Sequence, residues 1–146
     1  MVATRSTEEM LKPTAAYVAE VIRWIDPPDP PKGASTETPP CGDSAKDNPR
    51  KSVFRAYNVT LESSKHQAAF ERVRDGMIAR GYKITSYDVG SDRSGPGGTS
   101  GRLRASDPQS GYGIMVSSTS PPTEITIWVG SPCFVPAPTA PAVSPS

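Results

Sequence analysis

A single histidine, His66, and two cysteines, Cys41 and Cys133, are the residues of this chain best suited to do chemistry. Histidine is the one side chain whose unperturbed titration falls near neutral pH, so His66 would be the general base of a hydrolytic or transfer reaction. Ser63 and Ser64 are its sequence-local nucleophile partners. No nucleophile-elbow or other hydrolase pattern surrounds them, and a first-turn histidine of this kind is expected to be exposed. Glu8 with Glu9, and Asp88 with Asp92, are carboxylate pairs in local sequence only, with nothing to fix them around a reacting bond. The stretch GSDRSGPGGTSG at 90–101 lacks the Lys-Ser/Thr of a phosphate loop and does not open a helix, so it reads as a flexible inter-strand loop. No catalytic centre is assigned.

The cysteines lie far apart, each beside a proline, in PPCGDS and GSPCF. A structural metal site needs about four suitable ligands, and the chain offers no convincing set. No metal or other cofactor is therefore expected. Two well-separated cysteines in a small, proline-rich chain read better as one disulfide, Cys41–Cys133. The competing reading is two unrelated buried thiols in a cytosolic protein. A bridge closing so long a loop would contribute roughly 4 to 5 kcal/mol on the chain-entropy model.

A third set is spatial. Arg102 and Arg104 alternate out of RLRAS, while Met115 and Trp128 point away from the apolar sides of their own strands. Together they form a possible ligand surface on one sheet face. The plainer reading is a solvated face, and if the first helix packs there Trp128 is simply core.

These residues must be positioned by a few elements. Residues 6–25 read as a helix: Ser6 with Glu9 has capping-box spacing, and Tyr17, Val18, Val21, Ile22 and Ile25 make one apolar stripe. Pro13 is expected to restart or kink it. Residues 26–50 are Pro-rich, polar and aperiodic, an extended and mostly solvated connector. SVFRAYNVTLE alternates as a half-buried strand. The next stretch is the clearest helix, with Ser64 and Gln67 as a second capping box, Ala69, Phe70, Val73 and Met77 on one face, and Gly81 as left-handed cap. Gly76 is expected to let that helix approach the sheet closely. Beyond it, Tyr82 and Ile84 begin a strand that ends near Val89, and further strands carry Leu103 and Ala105, then Tyr112, Ile114 and Val116, then Ile125, Ile127 and Val129 inward. The expected fold is an α+β two-layer sandwich, an N-terminal helix followed by β-α-β-β-β with a four-stranded, mainly antiparallel sheet. Its first strand is placed at an edge or beside the first or last strand of the meander. The organisation is 1–25 N-terminal helix on the core, 26–50 connector, 51–134 α+β core and 135–146 disordered Pro/Ala/Ser tail.

Composition sets outer limits. Seventeen prolines and twelve glycines in 146 residues point to long irregular segments around a smaller folded unit. A formal net charge of +1 supplies no field toward nucleic acid or anionic lipid, and no apolar run approaches the ~18 residues of a spanning helix. The amino terminus MVATRSTEEMLK has no apolar signal region, which read literally predicts a cytoplasmic protein; the alternative is a chain lacking its leader.

PPCGDS, AAFERVRDGMIARGYKIT and LRASDPQSGYGIMVSSTSPPTEITIWVGSPCF together resemble small secreted proteins and lipoproteins of actinobacteria, over roughly residues 8–136. The resemblance implies export and a Cys41–Cys133 bridge, and no activity. The resulting expectation is a monomeric, non-enzymatic envelope or secreted module whose partner is an envelope component or a protein. Nucleic acid is not expected as a partner, and a membrane only through a lipid anchor. Alternatives are a cytoplasmic or phage-borne interaction or inhibitor domain and, third, a small hydrolase using His66.

Overall fold

The computed structural model describes residues 4–39, 51–90, 100–119 and 123–136. Cys41, most of the 90–101 loop and the tail from 137 onward lie outside them.

Helix α1 spans Thr7–Ile25. Its capping box forms as expected: Glu9 N–H donates to Ser6 Oγ at 3.0 Å and Ser6 N–H to Glu9 Oε1 at 2.9 Å. The helix runs through Pro13 without a restart, so the missing N–H costs one bond near the helix start rather than the helix itself. Asp26 closes it in a left-handed conformation at φ 55°, its N–H on the Ile22 carbonyl, and Pro27 follows. Helix α2, His66–Ala79, ends as expected on Gly81 at φ 83°. Its start differs. A 3-10 turn at Ser63–Lys65 precedes it, so Ser64 falls before the helix and the Ser64/Gln67 capping box does not form.

The main sheet is antiparallel throughout and has six strands rather than four, in the order β2-β3-β7-β6-β5-β4. These are β2 Lys32–Glu37, β3 Phe54–Thr60, β4 Lys83–Gly90, β5 Ser100–Ser106, β6 Gly113–Ser118 and β7 Glu124–Gly130. Two strands account for the excess. All four segments read as strands after α2 join the sheet, one more than the β-α-β-β-β order allows, and β2 forms within the segment read as solvated connector. β2 is an edge strand hydrogen-bonded to β3 only, so it needs no apolar alternation to exist. β3 sits beside β7, the last strand of the meander. A separate parallel pair joins β1, Thr4–Arg5, to β8, Val135–Pro136, at the beginning of the segment expected to be tail.

Both helices cover the same face, α1 against β3 and β7 and α2 against β4 and β5. The apolar parity of β3, β5, β6 and β7 points there: Val59, Leu103, Ile114, Val116, Ile125, Ile127 and Val129 are buried with Val18, Val21, Ile25, Phe70, Val73 and Met77. The two helices meet where Gly76 leaves room. A Cβ at that position would fall on the indole of Trp24, so Gly76 admits α1 rather than the sheet. Arg72 of α2 then donates to the Trp24 carbonyl at 2.8 Å and the Ile25 carbonyl at 2.7 Å, pairing groups that a helix end otherwise leaves unbonded.

Among the described residues no helix is long and apolar enough to cross a membrane.

Candidate functional site

His66 is not exposed; its relative exposure is 0%. Nε2 lies 2.8 Å from the Leu61 carbonyl, which can only accept, so that nitrogen carries the ring proton. Nδ1, 2.8 Å from Ser118 Oγ, then accepts the serine hydroxyl, and Ser118 Oγ in turn accepts the Gly101 N–H at 3.0 Å. The ring is neutral and both nitrogens are used. Burial away from water pushes its pKa below the ordinary histidine value, with the Leu61 carbonyl opposing weakly. This ring ties the start of α2 to the ends of β5 and β6. Ser63 and Ser64, the partners read from sequence, do not contact it in the bonds above; the serine that does is 52 residues away.

A second network fastens α1. Tyr17 Oη donates to Asp107 Oδ2 at 2.6 Å and receives Ser110 Oγ–H at 2.6 Å. Tyr82 Oη donates to Glu20 Oε1 at 2.7 Å, and Arg80 Nε pairs with Glu20 Oε2 at 2.5 Å. Tyr112 Oη reaches the Met10 carbonyl at 2.6 Å, its ring stacked on Tyr17 at 5.4 Å. Desolvation, then the hydrogen bond to a carboxylate, pushes both Tyr17 and Tyr82 up to about 12. The Tyr17 hydroxyl holds Asp107 below the usual carboxylate range. A groove of about 550 Å³ runs along these groups between α1 and Tyr82. Its hydroxyls and carboxylates are already bonded to one another, which makes it a clamp on α1. None of these tyrosines was singled out for such a role from sequence, because Tyr17 and Asp107 are 90 residues apart.

The other face of the sheet is different. Neither helix packs there, so Trp128 is not helix-covered core. Registration places Trp128 of β7 opposite Met115 of β6, and Met115 opposite Arg104 of β5. Arg102, two residues earlier on β5, has the same parity. The four residues proposed from alternation thus share one face, and three are successive cross-strand neighbours. Phe54 of β3 joins them. It pairs with Gly130, whose Cβ, if present, would lie 2.6 Å from the Phe54 ring. Gly130 therefore lets this ring lie on the sheet beside Trp128. Phe54 is 36% exposed, one of two large exposed hydrophobic side chains among the described residues. Its parity with Ala56 and Asn58 was the available sequence signal.

The arginines are exposed, and neither takes part in the ion pairs found among the described residues. At the far margin Glu124 is neutralised by Lys32 at 2.6 Å and accepts from Asn58 Nδ2 at 2.8 Å, which together hold its carboxyl below the ordinary range. No group of three or more His, Cys, Asp or Glu gathers as metal ligands would, among the described residues.

Cys133 sits exposed in a stretch stitched to the start of the core. Lys51 and Phe134 exchange backbone hydrogen bonds at 2.8 Å, and Ser131 N–H donates to the Val53 carbonyl at 2.8 Å. Ser52 N–H also donates to the Pro39 carbonyl at 3.1 Å. The chain thus leaves the described residues toward Cys41 from a point beside the Cys133 segment. No free cysteine occurs among the described residues.

Among the described residues, fold and site define a two-layer α+β protein whose helices cover one sheet face and leave the other open. No protein-family model, curated protein or solved structure matches the chain.

Proposed function

We propose that this chain is a non-enzymatic, extracytoplasmic binding module, braced by a Cys41–Cys133 disulfide, that presents its open sheet face to a ligand. One observation carries the binding role. Trp128, Met115 and Arg104 stand in register, with Arg102 and Phe54 beside them, on the face the helices leave bare. The arginines are exposed and take part in none of the ion pairs found among the described residues, with Asp88 facing Arg102 across the edge of the sheet and Arg104 facing Ser86.

The hydrolase alternative has less support. His66 is fully buried and both ring nitrogens are bonded within the protein. The bridge is favoured by anchoring Pro39 beside Ser52 and Lys51 beside Phe134, which brings the approach to Cys41 near Cys133. A disulfide is in turn a feature of oxidising compartments.

The test is the intact mass of the protein from its native host, alkylated under denaturing conditions without prior reduction. The expected result is no alkylation and a mass lower than the reduced chain by the two thiol hydrogens. Two alkylated thiols would overturn the extracytoplasmic reading and favour a cytoplasmic interaction domain.

A further inference from the structure

Resting on the reading of the open face as a binding surface, we infer that its ligand is an anionic linear polysaccharide. An aromatic end would take the apolar face of a sugar ring, and an arginine end its carboxylate or other acidic group.

The geometry has two poles. Neighbouring strands lie about 4.8 Å apart, so Trp128 and Arg104, two strand intervals apart, are separated by roughly 10 Å along one row. Phe54 faces Gly130, two residues along β7 from Trp128, which makes the two aromatics diagonal neighbours about 7–8 Å apart. Arg102 lies one same-face repeat from Arg104, about 7 Å along β5. Met115 bridges the poles. Ser117 and Thr126 pair with each other in the adjoining row, which continues to Asn58 on one side and Arg102 on the other.

Each part matches a part of an acidic sugar. The face of an aromatic ring is electron-rich and attracts the polarised C–H groups on the apolar side of a pyranose. A guanidinium fork binds a carboxylate, sulfate or phosphate through two parallel N–H bonds. The neighbouring hydroxyls and amide suit the ring hydroxyls, which need partners of both donor and acceptor type. A polymer also suits the face of a six-stranded sheet, because contacts repeat along it while no deep pocket is required.

Other macromolecules fit less well. A stable protein interface buries about 1,200–2,000 Å² around a largely apolar, aromatic centre. This face offers one large exposed hydrophobic side chain, since Ile78, the other, belongs to α2. Nucleic acid affinity grows with the number of phosphates neutralised, and a chain with net charge +1 and two arginines on this face supplies few such contacts. Acidic groups stand next to this row on the neighbouring strands. Asp88 stands opposite Arg102 on the edge strand, Glu37 opposite Phe54 on β2, and Glu124 is held by Lys32. They frame the arginine–aromatic row.

The experiment uses the full, oxidised chain and two-dimensional nitrogen–proton NMR, in which the Trp128 indole is resolved from that of Trp24. The probes are polygalacturonate, a neutral glucan of similar length, a single-stranded oligonucleotide, and vesicles containing phosphatidylglycerol. An envelope extract of the native host is run beside them. Polygalacturonate is expected to shift the Trp128 indole and the β5 and β6 amides, leaving Trp24 in place. Arg102→Ala/Arg104→Ala is expected to weaken that binding at least tenfold, and Trp128→Ala comparably, with the spectra of both variants showing an intact fold.

Equal binding of the neutral glucan, untouched by the arginine changes, would overturn the anionic assignment. Oligonucleotide or vesicles shifting the same face while polygalacturonate does not would overturn the inference but leave the binding face standing. An open face silent to every probe and to the envelope extract would overturn both.

Discussion

The two faces of one sheet are built from alternate residues of the same strands, yet they are finished differently. On the helix side Leu103, Ile127 and Val129 are wholly buried, and the polar groups that join them are paired: His66 with Ser118 and Leu61, Tyr17 with Asp107, Arg72 with the end of α1. On the open side Arg102 and Arg104 stand in water without an ion pair among the described residues, beside an exposed Phe54. Completed networks of buried groups fix one structure, because leaving any member unpaired is costly. Exposed, unpaired side chains contribute little to stability and remain available to a ligand. On the proposed reading, the division assigns folding to one parity and binding to the other.

Substitutions on the covered side should show the largest effects. Phe70→Ala removes a fully buried ring between α2 and the sheet and is expected to cost about 3–5 kcal/mol, read from denaturant unfolding. A loss below about 1 kcal/mol would show that the core closes differently around that ring.

Tyr17→Phe is next. It keeps the stacking on Tyr112 but leaves Asp107 and Ser110 without the shared hydroxyl, for an expected loss of about 1–2 kcal/mol. The raised values of Tyr17 and Tyr82 give the same clamp an alkaline signature. The folded state holds these protons more tightly than the unfolded chain, so stability is full below about pH 10 and declines as pH rises toward about 12. Unfolding midpoints across that range should fall less steeply in Tyr17→Phe.

A smaller, graded effect belongs to His66. Its folded value is lowered, so between that value and about 6.5 the unfolded chain binds the additional proton. This contribution is present above pH 6.5 and is lost as pH falls through the folded value. Unfolding followed from pH 7.5 downward should show the decline, and His66→Gln should remove that portion of it. Smallest is Lys32→Ala, which breaks an exposed ion pair; such pairs contribute about 0.2–1 kcal/mol, and the loss should shrink further in high salt.

Alternation along the strands made the division of the faces legible in sequence. RLRAS, GIMVS and EITIWVG each show which residues point together, and that placed Arg102, Arg104, Met115 and Trp128 on one side. β2 was not legible because KGASTE, an edge strand with its described side chains exposed, carries no apolar period. Its existence depends on the free edge of β3. The burial of His66 was hidden for a related reason. Its partners come from Leu61 and Ser118, and the 3-10 turn that aims the ring inward replaced the capping box expected at Ser64. Gly76 read as an approach to the sheet, while the Trp24 ring that needs it belongs to a different helix. Local pattern reports direction; it does not report which distant group arrives.

The most direct measurement compares two chain neighbours. Leu103 is fully buried on the covered side, and Arg104 is exposed on the open side of the same strand. Thermal and denaturant unfolding of Leu103→Ala and Arg104→Ala, measured side by side, should give a loss of about 2–5 kcal/mol for the first and a change within about 0.5 kcal/mol for the second. A comparable loss in both would mean that Arg104 is bound within the protein, and would contradict the separation of a folding face from a binding face.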